Sequence, residues 1–115
     1  MIKFYGYKKC STSRKAELYL EKKEISYQFI DITENPPSAK ILKLVAKNAG
    51  IAPEKMFNTS GQVYKEGNFK EIIKGKSADE LFEILATNGR LIKRPVVTDG
   101  KNASVGFQEE RLSLF

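Results

Sequence analysis

The chain has 115 residues, 41% of them hydrophobic and 30% charged, with a net charge of +6, no histidine and one cysteine. Without histidine, a Cys–His dyad, a Ser–His–Asp triad and a Cys/His zinc site are excluded, and we expect no bound metal. No apolar run approaches the roughly 20 residues that span a bilayer, and no signal-peptide pattern opens the chain. We therefore expect a single domain over residues 1–115 in the cytoplasm, without membrane contact.

The first third of the chain is typical of a strand–helix–strand unit. Residues 2–7 are apolar and aromatic and predict a strand, and a helical apolar stripe follows and ends near Lys23. Ser11 or Ser13 is expected to cap this helix. Residues 25–32 alternate apolar and polar and predict a second strand. A helical crossover of this length predicts that the two strands are parallel.

The middle of the chain predicts helices. Residues 35–37 are breakers, Ser38 is a cap, and the helical stripe behind it closes at Gly50. Residues 51–67 are less periodic, with a turn at Pro53 and a loop over residues 58–61. A short helix opens near residues 68–71. Ser77 begins a capping box before another apolar helix, which is expected to stop at residues 88–89.

The last quarter predicts two strands and a helix. Residues 91–98 are extended because Pro95 disfavours helix at the residue before it. Asp99 and Gly100 indicate a hairpin, residues 103–107 the return strand, and residues 108–114 a final helix. The predicted fold is therefore α/β and thioredoxin-like with a mixed sheet: β-α-β, a helical insertion at about residues 38–88, then β-β-α.

Cys10 is the candidate reactive group. It lies where the first strand gives way to the first helix, so the helix dipole and free backbone N–H groups favour its thiolate, which is the reactive form. Four neighbouring cations are expected to act in the same direction: Lys8, Lys9, Arg14 and Lys15. The alternative is that Cys10 is a small buried residue at the end of a strand.

The positive charge suggests an anionic substrate or an acidic partner, and the alternative is a merely basic surface. The lysines are scattered along the chain, and no helix-turn-helix, zinc-finger or stacked-aromatic motif is present. Direct binding of nucleic acid is therefore not expected.

Three sequence blocks carry a resemblance to a known family. They are KCSTSRKA at residues 9–16, LIKRPV at residues 91–96 and VGF at residues 105–107. In order and spacing they resemble the ArsC/Spx/YffB family, whose members have a thioredoxin-like core with a helical insertion. One branch contains arsenate reductases coupled to glutathione and glutaredoxin, and the other contains the transcriptional regulator Spx.

The resemblance to the reductases implies a mechanism. Cys10 matches their nucleophile, which attacks the arsenate oxyanion. Glutathione, a co-substrate and not a bound cofactor, then attacks the adduct, and a glutaredoxin-type exchange releases the mixed disulfide. The backbone N–H groups expected to hold the oxyanion belong to four residues at the helix start: Ser11, Thr12, Ser13 and Arg14.

Two further residues match family positions beside the cysteine. Arg94 matches an arginine that contacts the anion, and Pro95 matches a residue that is commonly a cis proline facing the cysteine. The alternatives are that Arg94 is a surface cation next to a turn, that Ser13 is only a helix cap and that Arg14 lies on a solvated helix face.

Two further arginines of the reductases are missing. Residues 51–75 contain no arginine, and residues 105–107 stand where the other belongs, with Arg111 the next along the chain. Charge-assisted hydrogen bonds contribute about 1.5–3 kcal/mol each, so this loss weakens binding of an anion. Lys65 and Lys93 are candidates to compensate for it.

The resemblance to Spx rests on residues 58–61 with Tyr64, and on residues 106–112. Spx carries a Cys-x-x-Cys switch, but Ser13 occupies the second position here, so no intramolecular disulfide forms. This branch implies a partner, the α subunit of RNA polymerase. The leading hypothesis is a thiol oxidoreductase acting on arsenate or on a glutathione mixed disulfide. The alternatives are an Spx-like regulator that binds RNA polymerase and a relative that keeps the fold without thiol chemistry.

Overall fold

The computed structural model describes residues 1–115 and has the predicted α/β order. Two 3-10 helices occur, over Pro53–Met56 and Gly89–Leu91. The strands are β1 (Lys3–Gly6), β2 (Gln28–Asp31), β3 (Val96–Thr98) and β4 (Ala103–Val105). The helices are α1 (Ser11–Lys22), α2 (Ala39–Ala49), α3 (Gln62–Glu66), α4 (Phe69–Ile72), α5 (Ala78–Thr87) and α6 (Glu109–Leu112).

The four strands form one mixed sheet in the order β2-β1-β3-β4. β1 and β2 are parallel, with Lys3 opposite Gln28. β1 and β3 are antiparallel, and so are β3 and β4. The predicted βαβ unit and the mixed sheet are confirmed. The strands are shorter than the apolar runs that predicted them, because those runs continue into the adjoining turns.

Side chains of the central strands alternate between two apolar clusters on opposite faces of the sheet. On one face, Phe4 and Val97 pack against Leu20 of α1 and Leu112 of α6. On the other face, Tyr5 and the neighbouring strand residues pack against α2 and α5. The sheet is thus a middle layer, and α1, which begins at Ser11 directly after Cys10, is held against it by a fully buried stripe.

Local sequence signals fix the ends of two helices. Ser38 caps α2 by accepting from the backbone N–H of Ile41 at 3.3 Å, and Gly50 ends it with φ +69°. Ser77 and Glu80 form the predicted capping box of α5. These expectations are confirmed because each signal acts within four residues along the chain.

The predicted stop of α5 at residues 88–89 is confirmed, since the helix ends at Thr87. Gly89 is buried there, and a Cβ would collide with the carbonyl oxygen of Ile32. Two expectations differ from the structure. Residues 51–67, predicted to be less periodic, contain the short helix α3. Residues near Leu91, predicted to be extended, form a 3-10 turn. None of the helices combines the length and the apolar composition that crossing a bilayer requires.

Candidate functional site

Cys10 occupies the N-cap position of α1, at the carboxyl end of the turn that follows β1. Its backbone N–H donates to the carbonyl of Tyr7 at 3.0 Å, and its own carbonyl accepts from the backbone N–H of Arg14 at 3.0 Å. The side chain is partly exposed. The thiol is therefore anchored at the first turn of the helix and still reachable by a substrate.

Neither serine caps α1, so that expectation is wrong. The N-cap is Cys10, and neither the Ser11 nor the Ser13 hydroxyl accepts from a backbone N–H group of the first turn. Ser11 is exposed, whereas Ser13 is fully buried and its Oγ accepts from the backbone N–H of Tyr7 at 3.2 Å. This leaves the first helical N–H groups free to stabilise negative charge.

The surroundings of Cys10 favour its thiolate. Burial raises the pKa of the thiol, but hydrogen bonding from the backbone and hydroxyl of Ser13 and from the backbone of Thr12, together with the positive charge of Arg94, outweighs it. The net pKa of Cys10 lies below the ordinary value for a cysteine. A larger share of the protein therefore carries the nucleophilic form near neutral pH.

Two cations that the sequence placed beside the thiol are engaged elsewhere. Lys8 and Arg14 bind the buried carboxylate of Glu17 at 2.8 and 2.9 Å. The hydroxyl of Tyr27 donates to the same carboxylate at 3.0 Å. Because a carboxylate neutralises them, these cations do not supply the charge that acts on Cys10; that charge belongs to Arg94.

Cys10 opens into a cavity of about 370 Å³. None of the lining side chains is acidic, and two are cations. The lining residues are Cys10, Thr12, Asn58, Lys93, Arg94, Val105, Gly106, Phe107 and Gln108. The wall combines positive charge, side-chain amides and one aromatic ring. Such a wall suits an organic anion that carries both carboxylates and peptide groups.

The structure brings some of the predicted residues to this cavity and not others. Thr12 and Arg94 line it with Cys10, and Ser13 lies buried behind them. The side chains of Ser11 and Arg14 are not part of its wall, and the backbone N–H of Arg14 is already bonded within the helix. Arg14 thus makes no contact with this cavity, and its predicted role in holding an anion stays a prediction.

Pro95 is buried next to Arg94, and the peptide bond between them is cis, as the resemblance implies. Of the two lysines considered as replacements for the missing arginines, Lys93 lines the cavity, whereas Lys65 lies in a separate depression. Arg111 bonds the carbonyl oxygens of Ala103 and Asn48 at 2.7–3.2 Å, so it is committed to holding α6.

Sequence reasoning missed five residues of the wall: Asn58, Val105, Gly106, Phe107 and Gln108. Asn58 comes from the loop after the first 3-10 helix, and Phe107 and Gln108 come from the segment after β4. Residues 58–61 and residues 105–107 carry the family resemblance, but nothing in their local pattern indicates that they meet at Cys10.

No group of three or more histidine, cysteine, aspartate or glutamate side chains is arranged to hold a metal ion. The chemistry that the cavity itself offers is that of a partly exposed thiolate flanked by Arg94 and Lys93.

Comparisons with known proteins agree with this geometry. Residues 5–115 match the model of the ArsC family. The chain is 46% identical over 110 residues to the protein YusI of Bacillus subtilis, covering 96% of this chain and 93% of that protein. It is 25% identical over 115 residues to the global transcriptional regulator Spx of Listeria innocua, covering 100% of this chain and 86% of the regulator. The solved arsenate reductase from Vibrio cholerae superposes with a TM-score of 0.84 at 32% identity, covering 99% of this chain and 97% of that one.

Proposed function

This chain belongs to the ArsC family and shares the thioredoxin-like fold of its arsenate reductases, and on that basis we propose that it is a glutathione-dependent thiol oxidoreductase. Cys10 is its single nucleophile. The observation that carries the proposal is the lowered pKa of a partly exposed thiol that opens into a cationic cavity. We place the reaction in the cytoplasm, where reduced glutathione is available.

The proposed reaction has two exchanges. The Cys10 thiolate attacks the glutathione sulfur of a mixed disulfide, so a Cys10–glutathione disulfide forms and the other thiol leaves as its thiolate. A second glutathione thiolate then attacks that bond. Cys10 is released as thiolate, and oxidised glutathione forms. The electron count balances because each step exchanges one disulfide for another, and one cysteine is sufficient for both.

The size and the lining of the cavity favour an organic disulfide over arsenate. Its volume of about 370 Å³ corresponds to about twelve water molecules at about 30 Å³ each and is within the usual range of small-molecule sites. An oxyanion of five heavy atoms needs far less space. Arg94 and Lys93 are available to bind the carboxylates of glutathione, and Asn58 and Gln108 to bind its peptide groups.

Coupled assays test the proposal. The mixed disulfide of glutathione and 2-mercaptoethanol is supplied with glutathione, glutathione reductase and NADPH, and oxidation of NADPH is followed for the native protein and Cys10→Ser. Turnover that disappears in Cys10→Ser is the expected result. A parallel reaction with arsenate and glutaredoxin is expected to be much slower, because two cation contacts are missing. Absence of turnover with both substrates overturns the proposal.

A second candidate rests on a different observation, the match of the whole chain to the regulator Spx. Under this hypothesis the protein binds the C-terminal domain of the RNA polymerase α subunit, and Cys10 is not needed for binding. The purified domain is passed over the immobilised native protein and the Cys10→Ser variant. Equal retention by both supports the regulator, and no retention by either removes it.

A further inference from the structure

Tyr7 contacts the backbone of Cys10 and two of the groups that stabilise its thiolate, the Ser13 hydroxyl and the Arg94 guanidinium. It lies between β1 and the turn that carries Cys10, and it is partly buried. Its carbonyl accepts from the backbone N–H of Cys10 at 3.0 Å, and its backbone N–H donates to Ser13 Oγ at 3.2 Å. Its ring lies 5.4 Å from the guanidinium carbon of Arg94. One residue thus joins the nucleophile, the buried hydroxyl and the cation.

We propose that Tyr7 is a positioning residue whose ring holds the Arg94 guanidinium beside the Cys10 thiol. The inference rests on the proposed function only in that Cys10 is the nucleophile. The backbone contacts of Tyr7 would persist with any side chain. Only the contact between its aromatic ring and Arg94 requires an aromatic residue at this position. A guanidinium within about 6 Å of a ring centroid is attracted by the negative face of the ring.

Arg94 depends on this ring because no carboxylate holds it. The ion pairs of the protein involve Lys8, Arg14, Lys43 and Lys74, and Arg94 is in none of them. An unpaired guanidinium on a long side chain otherwise samples many rotamers and extends into water, where its field at the thiolate is screened. Docking on the ring restricts that motion and keeps the charge on the cavity side.

The other charges around the thiol do not substitute for Arg94. Lys93 lines the same cavity but is exposed, and the nearer cations Lys8 and Arg14 are paired with Glu17. Arg90 lies 5.8 Å from the same ring, but its charge acts on Asp31, whose pKa it helps to lower after the hydrogen bonds of Thr33. Arg90 therefore provides a matched control: it shares the ring and is not in the cavity.

The test measures the pKa of Cys10 through the pH dependence of its alkylation by iodoacetamide, which is clean because the chain has no other cysteine. Tyr7→Leu is expected to raise this pKa, so that alkylation near pH 6 slows about 2–5-fold, the factor that corresponds to an exposed cation–π contact. Tyr7→Phe keeps the ring and is expected to restore the native titration. Arg90→Gln is expected to titrate like the native protein.

The decisive comparison places Tyr7→Leu in an Arg94→Gln background. In that background Tyr7→Leu is expected to leave the pKa of Cys10 unchanged, because the cation that the ring positions is absent. A native titration for Tyr7→Leu, an equal slowing with and without Arg94, or a slowing by Tyr7→Phe equal to that by leucine would each overturn the inference. Circular dichroism checks folding, and Tyr7→Met replaces the leucine variant if that one unfolds. The titration uses no disulfide substrate, so it is independent of whether the proposed turnover is found.

Discussion

The buried carboxylate of Glu17 allows a sharp test of how the charges beside the site are arranged. Its side chain is only 2% exposed, and Lys8 and Arg14 neutralise it from the solvent side, where they are 59% and 46% exposed. Replacing both cations, as Lys8→Gln with Arg14→Gln, leaves a buried negative charge with the Tyr27 hydroxyl as its remaining partner. Either single replacement leaves one cation in place.

The expected cost follows from this geometry. Losing one charged hydrogen bond costs about 1.5–3 kcal/mol, at the lower end here because both cations are half exposed. The double variant leaves the carboxylate without a counter-charge and is expected to lose about 3–5 kcal/mol near neutral pH. The loss of unfolding free energy on replacing one cation is therefore expected to be larger when the other cation has already been removed.

The sign of the pH dependence provides a second readout. Burial raises the pKa of Glu17, but its bonds to Lys8, Tyr27 and Arg14 outweigh burial, so the native pKa lies below its usual range. Glu17 therefore stabilises the native fold above the unfolded-state pKa, and this contribution is lost as the pH falls through the folded-state pKa. In the double variant the effect of burial dominates, and the pKa of Glu17 is expected to rise. Protonation of Glu17 at low pH then removes the buried charge and reduces the destabilisation.

Urea unfolding of the native protein and the variants, near pH 7 and near pH 4, measures both effects. We expect the destabilisation of the double variant to shrink markedly on acidification. Lys43→Gln is the control, because its ion pair with Asp79 is exposed on both sides and contributes about 0–1 kcal/mol. A double variant as stable as the native protein near pH 7, or equally destabilised at both pH values, would refute the reasoning.

Three further predictions follow from single contacts. Gly89→Ala is expected to lower the free energy of unfolding by about 3 kcal/mol in a denaturant titration, because the added Cβ meets the Ile32 carbonyl oxygen; an unchanged midpoint would contradict this. Ser77→Ala removes the capping box of α5 and is expected to cost about 1 kcal/mol by the same measurement, whereas a neutral effect would show that the cap contributes nothing. Ser13→Ala is expected to raise the pKa of Cys10 and slow its alkylation near pH 7, and an unchanged rate profile would exclude a role for the hydroxyl.

The parts of the fold that the sequence predicted are those with local causes. The cap at Ser38, the left-handed Gly50 and the capping box at Ser77 each involve residues no more than four apart, so the pattern itself specifies the geometry. The position of Cys10 at a strand–helix junction is local in the same sense. Gly89 shows where local patterns stop being sufficient. A side chain is excluded at this position because the backbone of Ile32, 57 positions away in sequence, approaches it closely.

The sequence alone determined the α/β order, the family blocks and the candidate reactive residue, because apolar periodicity and motif spacing are properties of neighbouring positions. Only the tertiary structure decided which charges act on the thiol. Lys8 and Arg14 adjoin Cys10 in sequence but bind Glu17, whereas Arg94 and Asn58 come from distant loops to face it. Electrostatic effects depend on distance and burial in space, and chain folding brings together groups that sequence separation keeps apart.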